Sequence, residues 1–447
     1  ASSYHQLGIL AQARGDYAEA ERRYTDSLTI TEQLGDRAGM AGTYHQLGNL
    51  AYLRGDYAEA ERRFTDTITE QLGDRAGTAS SYHQLGWLAQ ARGDYAEAER
   101  RYTDSLTITE ELGDRAGMAS VYHQLGILAQ NRGEYAEAER RYTDSLTITE
   151  QLGDRASMAS TYHQLGTLAQ DQGDYAEAER CYIHSLITAE EIGDRPGAAN
   201  SYHQLGMLSQ LRGDNTEAER LYLQALSIFD EFGNRAAMAS SYGQLGVIAH
   251  SRGDYREAER RYNESLNLSQ RLHDHNGVAI SYNQLGIVAQ LNGRDDDAER
   301  YYRQALAINE ELGNRSGIAT CYERIGELNQ QRGNYNEAER CYQQSLVVSE
   351  ELGNRVGVAS SYSRLGNLAS AQDHYRSAAG WHLSALLLRI ELDVPQVVKN
   401  VRALDILRRD LGKHSFEQII AERVGSDAQV SLLQLLDDYT LDTGGRH

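Results

Sequence analysis

Two polar residues, a histidine followed by a glutamine, recur together at steps of about 40 residues along this chain. Imidazole nitrogens bind metal ions and titrate near neutral pH, whereas a side-chain amide offers two N–H donors and a carbonyl acceptor. The pair could therefore hold a metal, change charge with pH, or form a row of hydrogen-bonding groups. The histidines are His5, His45, His83, His123, His163 and His203. The glutamine row comprises Gln6, Gln46, Gln84, Gln124, Gln164, Gln204, Gln244 and Gln284, followed by Arg324 and Arg364 at the equivalent positions.

A metal site is the least favoured of these three chemistries. Zinc sites in proteins use three or four ligands, and no cysteine or carboxylate at ligand spacing accompanies the histidines in the regular copies. The sequence therefore predicts no metal and no cofactor. Protonation of the histidine row near pH 6 is the stronger hypothesis, because an unperturbed imidazole titrates in that range.

The common catalytic signatures are absent from the sequence. It contains no phosphate-binding loop, no zinc-protease motif and no nucleophile elbow. Its three cysteines, Cys181, Cys321 and Cys341, form no CxxC pair, and we predict that they are buried as small hydrophobic residues. We therefore predict that the chain is not an enzyme, and the cysteine usage favours a reducing, cytoplasmic location.

Composition argues against two classes of partner. No run of about 18 apolar residues occurs, so a membrane-spanning helix is not expected. The net charge of -21 disfavours binding to nucleic-acid phosphates, which needs clustered lysine and arginine. The chain begins at Ala1 without a methionine, from which we expect it to be part of a longer protein.

The polar pair belongs to a longer unit that occurs ten times. In the first repeat, Tyr4, Leu7 and Gly8 lie at helical spacing and are predicted to face a partner helix, with Gly8 allowing a close approach. Gly15 would end this helix, and Asp16 would cap the second helix. Each unit is therefore a helical hairpin that must stack on its neighbours to bury its apolar stripe. The units begin at Ala1, Ala41, Ala79, Ala119, Ala159, Ala199, Ala239, Ala279, Ala319 and Ala359.

This unit resembles the tetratricopeptide repeat (TPR). That family has an aromatic residue, Leu-Gly, and then a small, an aromatic and a small residue at fixed positions. Ala11 stands where the family has a tyrosine, the terminal proline is missing, and the copies exceed the ordinary length of about 34 residues. Such long repeats are similar to those of the Pins/LGN and kinesin-light-chain type. The matching residues of the first copy are Tyr4, Leu7, Gly8, Ala20, Tyr24 and Ser27.

The resemblance implies an all-α protein, a right-handed α-solenoid (superhelix) of ten TPR-like hairpins. This array would span residues 1–392. Capping helices would follow over residues 393–441, because a solenoid must cover its last apolar face. Residues 442–447 are expected to form a disordered tail.

The resemblance also implies that the first helix of each hairpin lines a concave groove, where both polar rows would lie. A row of amides can pair with the backbone of an extended peptide, and variable neighbours could read its side chains. Trp87 is the preferred anchor, because aromatic residues dominate the energetics of many interfaces. The alternatives are that the glutamines bond neighbouring helices or water, and that the variable positions have drifted. These variable groove residues are Asn49, Trp87, Ile127 and Met207.

Three hypotheses for function follow. The first is a protein- or peptide-binding scaffold that uses the concave groove. The second is a sensor or regulatory arm of a larger bacterial signalling protein, such as a STAND-type NTPase or another effector, whose catalytic domain lies outside this chain. The third and weakest is a self-associating structural array. Capture of chaperone C-termini is not expected, because it needs lysines and the ten repeats contain none.

Overall fold

The protein is all-helical throughout the residues that the structure, a computed structural model, describes: 1–69, 75–394, 397–424, 429–430 and 432–437. Two compact units are distinguished, Ala1–Ile228 and Phe229–His447. Within each unit, consecutive helices pair into hairpins that stack on one another, so each unit is an α-solenoid. None of the described helices is long and apolar enough to cross a membrane.

Ten hairpins follow one another, as the sequence predicts. The first five are α1 (Ser2–Ala13) with α2 (Tyr17–Leu34), α3 (Arg37–Leu53) with α4 (Tyr57–Thr69), α5 (Arg75–Ala91) with α6 (Tyr95–Leu112), α7 (Arg115–Asn131) with α8 (Tyr135–Leu152), and α9 (Arg155–Asp171) with α10 (Tyr175–Ile192). The next five are α11 (Arg195–Leu211) with α12 (Asn215–Glu231), α13 (Arg235–Ser251) with α14 (Tyr255–Arg271), α15 (His275–Leu291) with α16 (Asp295–Glu311), α17 (Arg315–Gln331) with α18 (Tyr335–Glu351), and α19 (Arg355–Ala371) with α20 (Tyr375–Glu391).

Local signals set the ends of these helices. Oδ1 of Asp16 accepts a hydrogen bond from the N–H of Glu19 at 3.0 Å, so Asp16 caps α2 as predicted. Asp36 caps α3 in the same way, accepting from the N–H of Gly39 at 2.9 Å. Between the two helices Gly35 adopts a left-handed φ of 65°, which glycine tolerates without strain. Each such cap stabilises its helix by about 1 kcal/mol.

The two helices of a hairpin cross closely at a glycine. A Cβ atom added to Gly8 would lie 2.5 Å from Cε1 of Tyr24, and one added to Gly126 would lie 2.5 Å from Cε1 of Tyr142. Both tyrosines are fully buried. The predicted close approach at Gly8 is therefore confirmed, and the glycine is needed because the aromatic ring occupies the space of a side chain.

The leucines of the first helix pack in a different direction from the one predicted. Leu7 and Leu10 are 46% and 53% exposed, whereas their equivalents Leu47 and Leu50 are 7% and 2% exposed. The buried pair belongs to the cluster around Tyr24 of the preceding hairpin. The prediction that Leu7 faces its own partner helix is therefore wrong, because in hairpin two the equivalent leucine packs on the preceding hairpin.

Ion pairs tie several hairpins to the hairpin that precedes them within the same unit. Nη1 of Arg132 lies 2.7 Å from Oε2 of Glu99, and its Nη2 donates a hydrogen bond to the carbonyl oxygen of Tyr95 at 2.7 Å. Arg212 repeats the pair with Glu179 at 2.8 Å. A surface pair contributes only about 0–1 kcal/mol. Its repetition nevertheless favours one stacking register, because each arginine reaches the same place on the preceding second helix.

Two further helices, α21 (Val397–Leu411) and α22 (Lys413–Arg423), follow the tenth hairpin and pack on α20. Their core includes Leu404 and Phe416, which join Leu383 of α20 in one buried cluster. Nδ1 of His382 in α20 lies 3.2 Å from Nδ2 of Asn400 in α21. The apolar face of α20 is thus covered, while residues 438–447, including the predicted tail, lie outside the described residues.

Candidate binding face

The first helices of neighbouring hairpins approach one another on one side of each unit. In Ala1–Ile228 the contacting pairs are α3 with α5, α5 with α7, α7 with α9 and α9 with α11, and in Phe229–His447 α13 contacts α15. No pair of second helices makes a comparable contact in the described residues. We call the side formed by the first helices the inner face, and both predicted polar rows lie on its helices.

The predicted glutamine row consists of amides without internal partners. Its members are partly buried, except for Gln6, which is exposed. Within the part of the chain that the structure describes, none of their side chains makes a hydrogen bond, and Oε1 of Gln204 is completely buried without a partner. The alternative that these glutamines bond neighbouring helices therefore does not hold there. The residues are Gln6, Gln46, Gln84, Gln124, Gln164, Gln204, Gln244 and Gln284.

A second glutamine row, six residues further along each first helix, behaves in the opposite way. The hydroxyl of Tyr142 donates a hydrogen bond to Oε1 of Gln130 at 2.9 Å, and Tyr302 donates to Gln290 at 2.8 Å. These amides therefore hold the two helices of one hairpin together. The sequence analysis missed this role. The other pairs are Tyr24 with Gln12, Tyr102 with Gln90, Tyr182 with Gln170, Tyr222 with Gln210, and Tyr342 with Gln330.

The sequence does carry a signal for this bond. Hairpin two has Phe64 in place of the tyrosine and Tyr52 in place of the glutamine, so donor and acceptor are lost together. Hairpin ten has His382 and Ser370 at the two positions. Comparing the copies column by column would therefore have shown that the two positions change together in hairpins two and ten.

The histidine row is packed into the hairpins and is not free. The ring of His123 lies 5.7 Å from the ring of Tyr142, and its Nδ1 lies 3.1 Å from the hydroxyl oxygen of Thr161 in the next hairpin. His45 makes the same contact with Ser81 at 3.1 Å. The other ring pairs are His5 with Tyr24, His45 with Phe64, His83 with Tyr102, His163 with Tyr182, and His203 with Tyr222, at 5.1–5.6 Å.

Burial also keeps these imidazoles neutral. It lowers the pKa of His123 and of His203 to about 4, and it lowers the pKa of His83 and His163 in the same direction. The hypothesis that the row gains charge near pH 6 is therefore wrong for these residues, since a buried imidazole loses the hydration that its cation needs. Among the described residues, no three histidine, cysteine or acidic side chains form a group that could hold a metal ion.

Trp87, the preferred anchor, sits between hairpins two and three. Its ring meets the ring of Tyr52 edge-on, with the centroids 4.8 Å apart, and it packs against the cluster that contains Phe64. The side chain is only partly buried. Asn49, Ile127 and Met207, the other predicted variable residues, are partly buried as well.

The polar row becomes charged in hairpins nine and ten. Glu327 lies between two arginines, 3.4 Å from Nη1 of Arg324 and 3.3 Å from Nη1 of Arg364. Burial raises the pKa of the neighbouring Glu323. Arg324 and Arg364 thus satisfy an internal carboxylate, in contrast to the unpartnered amides that precede them in the row.

The family relationship agrees with this architecture. A model of the tetratricopeptide repeat matches residues 1–69, 66–111, 89–151, 117–170, 157–231, 237–311 and 317–389. These segments make up most of the chain.

The chain belongs to the tetratricopeptide repeat family.

Several solved structures are similar to this chain. The apo form of the quorum sensor NprR from B. thuringiensis aligns over 78% of this chain and 98% of its own, with a TM-score of 0.57 and 12% identity. A STAND protein (signal transduction ATPase with numerous domains) from Pyrococcus horikoshii has a TPR sensor. It aligns over 86% of this chain and 56% of its own, with a TM-score of 0.59 and 13% identity. A putative kinesin light chain from Podosopora anserina with nearly identical TPR-like repeats aligns over 43% and 95%, with a TM-score of 0.37 and 18% identity. No curated protein matches the sequence.

The three cysteines of this TPR array are buried, as predicted. Burial raises the pKa of Cys181 to about 12 and the pKa of Cys321 and Cys341 to about 11. A reactive cysteine needs a lowered pKa that favours the thiolate. These thiols therefore act as small packing groups in the second helices and at one first helix.

The sequence analysis also missed a cavity in the seventh TPR hairpin. Gly243 replaces the histidine of the row there, and the buried hydroxyl of Tyr262 has no partner among the described residues. Gly243 was visible in the sequence as a departure from the repeat. Its consequence depends on which side chains surround the missing ring, and that requires the tertiary structure.

Proposed function

We propose that the inner face of this TPR protein is a non-catalytic binding surface for an extended segment of a partner protein or peptide. The observation that carries the proposal is the contrast between the two glutamine rows. Gln130 and its equivalents are saturated by tyrosine hydroxyls, whereas Gln124 and its equivalents leave their amides unpartnered in partly buried places. A polar group that loses water without gaining a partner is unfavourable, so the second set is suited to a guest chain.

The spacing of the amides fits an extended backbone. Packed helices lie about 8–10 Å apart, and an extended chain advances about 3.3 Å per residue. Successive glutamines would therefore meet the backbone of about every third guest residue. An amide both donates and accepts, so one glutamine can serve a peptide N–H and a peptide carbonyl whatever the guest sequence is.

The uncharged side chains on the inner face of Ala1–Ile228 limit which guest segments it could bind. Burial lowers the pKa of most histidines along its inner face, so these imidazoles are neutral, and the glutamines and Trp87 carry no charge; the histidines are His83, His123, His163 and His203. Since a charged group would lose hydration there without finding a counter-ion, we propose a segment of low net charge. In this arrangement, the partly buried ring of Trp87 would contact an apolar guest side chain.

The proposal is tested by selecting peptides and then removing the amides. Random unstructured peptides displayed on phage are selected on the full chain, and the affinity of the best binder is measured by calorimetry. The double variant Gln124→Met and Gln164→Met keeps side-chain length but deletes both amides. We expect binding about five- to 160-fold weaker, because two hydrogen bonds of about 0.5–1.5 kcal/mol each are lost.

A matched control separates binding from folding. Gln33 is exposed on α2, and Gln33→Met should leave the affinity unchanged. Because Gln124 and Gln164 make no internal bond, the double variant should also keep the melting temperature of the parent chain. Selected peptides that bind the double variant as tightly as the parent would show that the amide row is not the binding site.

The STAND structure favours a second candidate function, a sensor arm of a larger signalling protein. In that protein the TPR region is described as a sensor, and the alignment covers 86% of this chain but 56% of the STAND chain. At 13% identity the similarity shows a shared fold and nothing about function, so this function is proposed as an alternative. The gene that encodes this chain provides the test, since a nucleotide-hydrolase domain in the same reading frame is expected and its absence would reject the alternative.

A further inference from the structure

A cavity of about 340 Å³ opens in the seventh hairpin, entirely within the second unit. Its walls come from α13, α14 and α15 and include both inner-face amides of this region, Gln244 and Gln284. Val247 and Ile280 add apolar surface, and Ile280 is 56% exposed. The cavity therefore lies where the proposed guest chain would pass.

The cavity exists because one ring is missing. Hairpins one to six carry a histidine whose ring rests 5.1–5.7 Å from the aromatic ring of the second helix. Hairpin seven has Gly243 at that position and keeps the aromatic residue, Tyr262. A Cβ atom added to Gly243 would meet only Oγ of Ser265, at 3.8 Å. The backbone thus leaves room for a side chain that the sequence does not supply.

A second substitution in the same hairpin frees a hydroxyl group. Tyr262 lines the cavity and is 2% exposed, and its hydroxyl has no partner in the described residues. The glutamine that accepts from this tyrosine in seven other hairpins is replaced by His250, whose ring lies 5.9 Å from the ring of Tyr255. A buried hydroxyl without an acceptor is unfavourable.

The remaining surroundings also match those of a bound imidazole. In hairpins two and four the ring nitrogen of the histidine contacts a hydroxyl oxygen of the next hairpin, from Ser81 or Thr161. The equivalent residue next to hairpin seven is Ser281, which lines the cavity and lies 3.4 Å from Oγ of Ser265. The aromatic ring and the serine hydroxyl that surround the histidine ring in the regular hairpins are therefore both present here.

We propose that this cavity is an anchoring pocket for the imidazole ring of a histidine in the bound segment. The inference rests on the proposed function, because the histidine would belong to the guest chain. The guest ring would pack beside the ring of Tyr262 and reach the hydroxyl of Ser281 with one ring nitrogen. The guest would thereby complete the hairpin with the group that hairpins one to six carry in their own sequence.

The pocket can be tested without knowing the partner. N-acetylhistidine methylamide and free imidazole are titrated at pH 8, where both are neutral, into full-length protein labelled at the isoleucine methyl groups. Saturable shifts are expected at the methyl of Ile280, with millimolar affinity. Gly243→His restores the residue of the regular repeats and should weaken binding at least tenfold by filling the pocket.

Two further variants control the result. Gln33→Met, on α2 in the first unit, should leave probe binding unchanged, whereas Ser281→Ala should weaken it about three- to tenfold through the lost hydrogen bond. Equal binding to the parent and to Gly243→His, or no saturable shift at 50 mM probe, would overturn the assignment. If the double variant at Gln124 and Gln164 loses binding of the selected peptide and the parent chain does not bind imidazole, the pocket alone is rejected. Imidazole binding with an unaffected double variant rejects the amide row and supports the pocket.

Discussion

The two units of the chain carry different residues at the same position of the repeat. In Ala1–Ile228 every hairpin places a histidine ring beside the aromatic residue of its second helix, whereas Phe229–His447 has Gly243, Asn283, Glu323 and Ser363 there. The first unit therefore fills this space with its own side chains. In the second unit this space is empty at Gly243. At other hairpins it holds a polar side chain, such as that of Asn283, whose buried Oδ1 has no hydrogen-bond partner in the described residues. The fold tolerates both, because the glycine–tyrosine crossing and the caps do not depend on this position.

The comparison teaches that regularity and binding capacity are separate properties of a repeat. A hairpin that supplies every side chain of its packing scheme is self-sufficient at that position. A hairpin that lacks one of them keeps the surrounding groups, and these groups can recognise the missing chemistry in another molecule. Divergence of the later copies can thus create a specific site without any change of fold.

The largest expected effect is a difference in acid sensitivity between the units. For His123 and His203 the folded pKa of about 4 lies below the ordinary value of 6.5, so the folded state binds fewer protons than the unfolded state between these limits. Stability is complete above pH 6.5 and falls as the pH drops towards 4. At pH 5 the loss is about 2 kcal/mol for each such histidine. Hydrogen exchange of residues 115–211 at pH 7.5 and pH 5 measures it.

The second unit should respond in the opposite direction near Glu323. Burial raises the pKa of this carboxyl, so the folded state binds more protons than the unfolded state, and local stability is gained as the pH falls through the raised pKa. His123→Gln should remove about 2 kcal/mol of the acid sensitivity of hairpin four. Equal losses of protection in residues 115–211 and 315–351 would contradict the comparison.

A matched pair of glycine substitutions gives the next largest effect. Gly126→Ala would place a carbon 2.5 Å from the ring of Tyr142, and overpacking of this kind costs about 1–3 kcal/mol. Gly243→Ala meets only an atom at 3.8 Å and should stabilise α13 by up to about 1 kcal/mol, as alanine does in a helix interior. Urea unfolding of both variants decides the point, and destabilisation by both would show that the cavity at Gly243 is not open.

Removing one hydroxyl should have unequal consequences in the two units. Tyr142→Phe breaks the bond to Gln130 and should cost about 1 kcal/mol, whereas Tyr262→Phe removes a hydroxyl without a partner and should cost nothing or be slightly stabilising. Chemical denaturation of the two variants under identical conditions provides the measurement. A similar cost at both sites would mean that Tyr262 has an acceptor after all.

The smallest expected effect comes from restoring the regular residue in hairpin eight. Asn283→His would replace a buried amide oxygen without a partner and place a ring near Tyr302, with a gain of about 0.5 kcal/mol at pH 8. The same variant should acquire the acid sensitivity of the first unit. Thermal melts at pH 8 and pH 5.5 test both effects, and a variant less stable at pH 8 would indicate that hairpin eight has no room for the ring.

Much of the fold could be read from the sequence because its determinants are local. Asp16 caps its helix through a bond to a residue three positions away, and Gly35 ends a helix through its own backbone angles. The close approach at Gly8 was also predictable, since a glycine at a fixed place in a helical stripe implies a bulky neighbour. These interactions recur in most copies, so the repeat makes each of them easier to recognise.

The binding face was only partly predictable, because it depends on which copy each side chain meets. The sequence placed Gln124 and Gln130 on the same helix but did not show that a tyrosine hydroxyl occupies the second amide and leaves the first unpartnered. It likewise gave Leu7 the wrong neighbour, since a stripe of apolar residues does not reveal whether it packs within a hairpin or between two. Spacing along the chain thus determined the hairpins. Stacking them decided which polar groups are satisfied and where a missing ring leaves a pocket, because hydrogen bonds and cavities are formed by residues that are distant in sequence.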